Sequence, residues 1–354
     1  MNFINILRGM VIGVANIIPG VSGGTLALVL GIYERLIGAI NNVSFETVKA
    51  VLGLLKFNKN GWKNFIAELK RIDAFFLTSI LVGALISIGA LAKLMTYLLE
   101  HFHDPTYGFF FGLVIVSAWV PFKLIKKHSF FSILAIIIAT AGVIVISSAG
   151  TDEQKIHRAQ VKYEIEQQKA PNAASVEKEM FDHSPGRLAF IVLSGIVGIS
   201  AMILPGISGS FLLLLMGVYF SILKAITQLD ILTLGAFSFG CLFGILACSR
   251  LINFALERWY DVTTSFLLGL VLGSIAAIWP FKGTAQVGGE IIYLSNKMPA
   301  AFGSNEVLTL LAAIAGGLLV LLCIFLENKN GKKEENCTSV NAVVNPETNN
   351  VTDR

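Results

Sequence analysis

The chain has 354 residues, 55% of them hydrophobic and only 14% charged, with a mean hydropathy of +0.72. Soluble domains run nearer 45–50% apolar and about 25% charged. The composition therefore excludes an ordinary soluble enzyme and a disordered chain, and reads as a multi-span membrane protein. The formal net charge of +4 matters less than where the charges sit. Cys241, Cys248 and Cys323 lie in apolar runs and Cys337 in the polar C-terminal stretch, with no CxxC or Cys/His cluster, so neither a disulfide framework nor structural zinc is expected. No secretory leader with a polar cleavage region is expected at the N-terminus.

In chain order, the first apolar region covers about 3–40 and is interrupted by Pro19-Gly20-Val21-Ser22-Gly23-Gly24. Runs long enough to cross a bilayer, about 20 apolar residues, follow at 73–99, 106–122 and 130–149. A polar linker of mixed charge occupies 150–186. A second interrupted region covers 187–227, broken by Pro205-Gly206-Ile207-Ser208-Gly209-Ser210, and full-length runs return at 230–250, 262–280 and 306–326. The tail from 329 is polar and expected to be disordered. Pro removes a backbone donor and Gly costs about 1 kcal/mol inside a helix, so each interrupted region is expected to form two shorter helices meeting at a turn.

The two halves repeat. Pro19, Gly20, Ser22, Gly23, Gly31 and Tyr33 match Pro205, Gly206, Ser208, Gly209, Gly217 and Tyr219 at an offset of 186. Asp73, Gly83, Glu100, Asp104 and Gly112 match Asp230, Gly240, Glu257, Asp261 and Gly269 at an offset of 157, and Lys93 matches Arg250. The block closes with Trp119-Val120-Pro121-Phe122-Lys123 against Trp279-Pro280-Phe281-Lys282. Lysines and arginines between Asn41 and Asp73 mark that loop as cytoplasmic. Counting spans from it puts Glu100–Asp104 and the 150–186 linker outside, and both termini inside. Three spans and a broken hairpin per half make an odd number of crossings, so the second copy runs inverted. The expected fold is an all-α polytopic membrane protein with an inverted-topology internal repeat. Its parts are a first repeat over 1–149, an extracytoplasmic linker over 150–186, a second repeat over 187–328 and a cytoplasmic tail over 329–354.

Irregular backbone is tolerated at membrane depth only where protein or water covers it. Helices that begin after Pro-Gly-x-Ser-Gly offer free N–H groups and a hydroxyl, which suits an anion. The expected phosphate site is therefore Pro19, Gly20, Ser22, Gly23, Gly24 and Thr25 on one turn, with Pro205, Gly206, Ser208, Gly209 and Ser210 on the other. Asn16 adds a polar ligand whose repeat partner is Met202. Arg35, with Glu34, has two readings: a phosphate-binding cation and its partner, or the cytoplasmic end of the hairpin. Arg8, Lys93 and Arg250 either snorkel to the interface or serve headgroup recruitment or coupling. The bland reading of each turn, a Ser-capped bend packed by small residues, also stands. No catalytic constellation, cofactor or metal is expected, nor a nucleic-acid partner, and no oligomeric state is legible.

Gly9, Gly13, Asn16, the run Ile18 to Thr25 and Gly31-Ile32-Tyr33-Glu34-Arg35 resemble the N-terminal signature of the bacterial polyprenyl-phosphate transporter family. Leu204 to Ser210 and Trp279-Pro280-Phe281 resemble its second-half signatures. The resemblance spans about residues 1–327. It implies transport of undecaprenyl phosphate from the outer to the cytoplasmic leaflet of the cytoplasmic membrane, recycling the carrier for envelope synthesis. Two rivals remain on the residues alone: an exporter of a small soluble anion, and a lipid-diphosphate phosphatase, which would need an Arg and a general base at the turns.

Overall fold

A computed structural model describes residues 3–17, 22–54, 58–148, 183–299 and 301–344, with isolated positions between 152 and 160. The first half begins with α1 (Phe3–Ile17), α2 (Gly23–Val29) and α3 (Tyr33–Asn41). An amphipathic pair follows, α4 (Phe45–Leu54) and α5 (Lys59–Arg71), then α6 (Ala74–His101), α7 (His103–Ser117), the short α8 (Trp119–Leu124) and α9 (Phe130–Ser148). The second half comprises α10 (Pro185–Ile203), α11 (Gly209–Leu215), α12 (Tyr219–Gln228), α13 (Ile231–Arg258) and α14 (Tyr260–Ala277). It ends with β1 (Lys282–Val287), β2 (Glu290–Asn296) and α15 (Ser304–Val344). Among the described residues seven helices are long and apolar enough to cross a membrane, within α6, α7–α8, α9, α10, α13, α14 and α15. The chain is a multi-pass membrane protein.

Three expectations change. Each interrupted region forms three helices rather than two, because the chain breaks again at Gly31 and Gly217, which hold φ of +64° and +72°. A β-carbon resists that left-handed backbone, so glycine at these two matching positions ends α2 and α11 after seven residues each. Helices α2 and α3 then diverge by 115°. The fold is also not purely helical: β1 and β2 form an antiparallel hairpin closed by Gly288-Gly289, both at positive φ. Finally, α15 continues to Val344, through the first part of the expected tail, where Lys332-Lys333-Glu334-Glu335 are good helix formers. Pro19 and Gly20, most of the linker and residues 345–354 lie outside the described residues.

Small residues set the helix pairing, as is usual where lipid removes the hydrophobic drive between helices. A Cβ at Gly9 would stand 2.2 Å from the Ile80 carbonyl oxygen, and one at Gly13 2.6 Å from that of Ala84, so α1 and α6 run parallel in backbone contact, with a Cβ at Gly83 2.0 Å from the Ile6 carbonyl oxygen. The same contacts recur at the sequence offsets: Gly195 on Phe237, at 2.5 Å, and Gly240 on Val192, at 2.1 Å, join α10 to α13. The remaining pairs cross between halves. Gly112 of α7 abuts Ala313 of α15, and Gly269 of α14 abuts Ile136 of α9, with Thr140 Oγ1 donating to the Gly269 carbonyl at 3.0 Å. Each half thus lends its last long helix to the other.

Two ends result. At one, Arg35 meets Asp73, Tyr260 meets Glu34, and the Lys126 amide donates to Asp261. At the other, the His103 ring stacks on Tyr293 of the hairpin with centroids 3.5 Å apart, and Asn305 donates to Asp104. Asp152 there accepts from the Ser295 amide and hydroxyl. Trp279, just past α14, donates its Nε1 to the Lys297 carbonyl at 3.0 Å, and Asn296 Nδ2 donates to the Ala276 carbonyl at 2.7 Å, so the hairpin is fastened to the end of α14.

Candidate functional site: two glycine-serine turns and a cavity

The two turns touch. Ser22 caps α2 from an extended backbone, its Oγ accepting from the Gly24 amide at 3.2 Å and donating to the Leu204 carbonyl at 3.2 Å. The Gly206 amide donates to Thr25 Oγ1 at 2.8 Å, with both groups buried. Gly24 passes so close to Ile203 that a Cβ would stand 2.6 Å from its carbonyl oxygen. Gly206 itself has φ +80° and leaves room for the Leu270 carbonyl, which a Cβ would meet at 2.2 Å. Asn16 Oδ1 accepts from the Gly23 amide at 3.3 Å. The structure therefore brings together Asn16, Ser22, Gly23, Gly24 and Thr25 with Leu204, Pro205 and Gly206.

The turns differ in what they leave open. Every residue of α2 is buried and the Ser22 hydroxyl is engaged on both sides. In α11 only Gly209 is buried. Ser208 makes no side-chain cap; its Oγ lies 3.0 Å from Ser210 Oγ, and both serines line a cavity of about 660 Å³. The cavity runs from the second turn to the hairpin. Its polar wall includes Tyr107, Lys282 and Asn296, besides Asp152 and Ser295, which bond each other. Its apolar wall is Val143, Ile144 and Ile146 of α9 with Phe211 and Leu214 of α11. Lys282 Nζ donates to the Ala277 carbonyl at 2.9 Å and sits 5.0 Å from the centre of the Tyr107 ring. Burial, with the Asp104 charge adding to it, pushes the Tyr293 phenol up, so at neutral pH it is a neutral donor at the cavity rim.

Lys282 was read in the sequence only as the end of Trp-Pro-Phe-Lys. The signal that could have found it is its position: a lysine two residues after the proline that ends an apolar run, matched by Lys123 at the end of α8. Arg35 and Glu34 are not brought to the turns. Arg35 Nε bonds Asp73 Oδ2 at 2.7 Å with its guanidinium 4.2 Å over the Phe76 ring, and Glu34 accepts from Tyr260 at 2.7 Å. Arg8 contacts Asn5 within α1, at 3.4 Å, and Lys93 and Arg250 are exposed on α6 and α13. Among the described residues no group of three His, Cys, Asp or Glu side chains could hold a metal ion.

Residues 12–291 match the model of the VCA0040-like family, described as undecaprenyl phosphate translocase-like. The chain belongs to this family. It is 34% identical over 292 residues to a polyprenyl-phosphate transporter of Vibrio cholerae serotype O1, covering 80% of both chains. It is 30% identical over 284 residues to a polyprenyl-phosphate transporter of Staphylococcus aureus, covering 78% of this chain and 86% of that one. No solved structure matches.

Proposed function

We propose that this family member carries a polyprenyl phosphate, undecaprenyl phosphate in the first instance, from the outer to the cytoplasmic leaflet of the cytoplasmic membrane, returning the carrier lipid to envelope synthesis. One observation carries the reading: a single cavity has hydroxyls, an amide, a lysine and the Asp152 carboxylate, itself taken up by Ser295, on one wall and aliphatic and aromatic side chains on the other, and it reaches Gly206 at the junction of the two turns. An amphiphile with an anionic head fits such a lining better than a small hydrated anion does. The phosphate is held by Ser208, Ser210 and the Lys282 ammonium, a charge-assisted arrangement. A cavity of about 660 Å³ is of the size that houses a drug-sized ligand rather than a long isoprenoid chain. The tail therefore leaves the cavity between α9 and α11, along Ile144 and Leu214, and stays in lipid.

The two-fold repetition of sequence, and of the glycine contacts in α1–α6 and α10–α13, supports an inverted repeat in which the α1–α2 and α10–α11 hairpins enter the membrane from opposite faces. Helix α1, 15 residues and about 22 Å long, falls short of a ~30 Å hydrocarbon core, whereas its counterpart α10, with 19 residues and about 28 Å, nearly spans it. The lysine-rich end bearing Asp73 is cytoplasmic, and the cavity, at the hairpin end, faces outside. Parting of the turns and closure of the outer cavity would present Ser22, Gly23, Gly24 and Thr25 to a headgroup from the inner side, with Asn16 beside them. Leaflet transfer of labelled undecaprenyl phosphate in proteoliposomes, with phosphate release followed in the same sample, tests this. Transfer without release is expected; release from a diphosphate substrate would identify an enzyme, and transport of sulfate without lipid transfer an anion exporter.

A further inference from the structure

The α4–α5 pair stands apart from the cavity. No residue of either helix is buried, yet the pair is firmly built. Thr47 and Arg71 both bond Glu68, and Arg71 also donates to the Asn42 carbonyl at 2.8 Å and Ser44 Oγ at 3.0 Å. Asn58 caps α5 through the Gly61 amide at 2.6 Å. This clasp holds out a row of large apolar side chains: Phe45, Val48 and Leu52 from α4, Trp62 and Ile66 from α5, with Phe45 70% and Trp62 59% exposed. At 100° per residue, Phe65, Leu69, Trp62 and Ile66 share a stripe about 100° wide, and Lys59, Lys70 and Lys63 fall together along one flank of it. Neither feature belongs in water or in hydrocarbon alone.

We infer that α4–α5 is a docking surface for the anionic lipid headgroups of the leaflet at the Asp73 end, with the apolar stripe sunk at the headgroup–acyl boundary. Position supports this occupant. The pair leads directly into Ala74–Leu91, the first long apolar span, and α5 touches α6, so the hairpin stands at the polar border of the bilayer. Chemistry supports it too: a tryptophan suits the interface, and three lysines on one flank, beside the span, suit phosphate-bearing lipids. A second copy of the chain fits less well, because a two-fold pairing of these faces would set like charges against each other. The inference does not depend on what the cavity carries.

The test uses the full chain in nanodiscs of phosphatidylglycerol or phosphatidylcholine carrying brominated acyl chains. The Trp62 signal is taken as the difference between the native chain and Trp62→Phe. In phosphatidylglycerol that signal should be blue-shifted and quenched by bromine. The quenching should fall at least about threefold in phosphatidylcholine, and likewise in Lys59→Gln/Lys63→Gln/Lys70→Gln, since each lysine near an anionic surface contributes roughly a fivefold factor. All three lysines are exposed, so the variant should keep its helical circular dichroism. Equal quenching in both lipids would overturn the inference by removing the anionic selectivity. Absence of quenching in both, whether with iodide access to Trp62 or with lysine cross-links between copies, would overturn it by removing the membrane contact.

Discussion

Replacing Thr25 by valine removes one oxygen and almost no volume. Thr25 is 1% exposed, and its Oγ1 is the acceptor for the Gly206 amide across the junction of the turns. Valine leaves that buried N–H without a partner, which costs about 1–3 kcal/mol. The second bridge, Ser22 Oγ to the Leu204 carbonyl, is untouched by this change, and the Ser22→Cys labelling background weakens it equally in parent and variant, so it cancels from the comparison. If transport requires the turns to part, the cost falls on the joined state and is relieved where water reaches Gly206. The equilibrium then shifts toward parted turns by about fivefold to 150-fold, at 1.4 kcal/mol per factor of ten. The assay is maleimide labelling of Ser22→Cys, in a background whose native cysteines are serine, applied from the Asp73 end of oriented proteoliposomes. That labelling should rise in Thr25→Val and return toward the parent rate in Thr25→Ser, which restores the acceptor. A lowered melting temperature with unchanged labelling would refute the reasoning: it would make the junction a permanent packing contact rather than one that opens.

Three further outcomes follow from the same contacts. Lys282→Met, or Ser208→Ala with Ser210→Ala, should weaken binding of a polyprenyl phosphate about tenfold or more while leaving helix content intact, because charge-assisted bonds contribute about 1.5–3 kcal/mol each; Ser22→Ala with Ser208→Ala tests the two turns together, and titration in detergent reads both. Gly240→Ala should lower the melting temperature, since its Cβ would stand 2.1 Å from the Val192 carbonyl oxygen, whereas Gly38→Ala, with nothing within 4 Å, should be neutral or stabilising by up to about 1 kcal/mol. Hydrogen bonds from Arg71 and then Thr47 hold the Glu68 carboxyl down to about 2, below the ordinary ~4.3; a depressed carboxylate favours the folded clasp above ~4.3 and loses that contribution as pH falls toward 2, so amide protection of α4–α5 should be flat from pH 8 to 5 and decline only below about 4.

The long spans could be read from the sequence because lipid-facing helices need unbroken apolar runs, and the seven helices long enough to cross include all six clean runs. The two turns were visible because Pro-Gly and Ser-Gly in an apolar surround are costly unless used. The breaks at Gly31 and Gly217 were not, since a single glycine in an apolar run looks like a small packing residue until its φ is known. The β-hairpin left a signal that went unused: Gly288-Gly289 between Thr284–Val287 and Ile291–Tyr293 is a two-residue turn between strand-like runs. Arg35 drew attention as a charge in apolar sequence, but its partner Asp73 lies 38 residues away, and pairing at that separation is set by how α3 and α6 meet. Lys282 was hidden for the same reason, because nothing in Trp-Pro-Phe-Lys says that the chain turns back as a hairpin over a cavity.

The unequal state of two matching turns bears on how the protein works. The first is saturated: Asn16 takes the Gly23 amide, and Ser22 and Thr25 are spent on the Gly24 amide and the opposite turn. In the second, the place of Asn16 is taken by Met202, which crowds Gly209 but accepts no hydrogen bond from it. In the proposed cycle the opened state of the first turn would therefore not be a copy of this one, since Asn16 would enter the inner site and Met202 has no such group to offer outside. The polar part of the junction is two neutral hydrogen bonds, a net of about 1–3 kcal/mol, added to the buried backbone contact of Gly24 with Ile203. In the proposed cycle, a phosphate that binds one turn better than the other would have to offset that packing as well as the two bonds to decide which way the site faces.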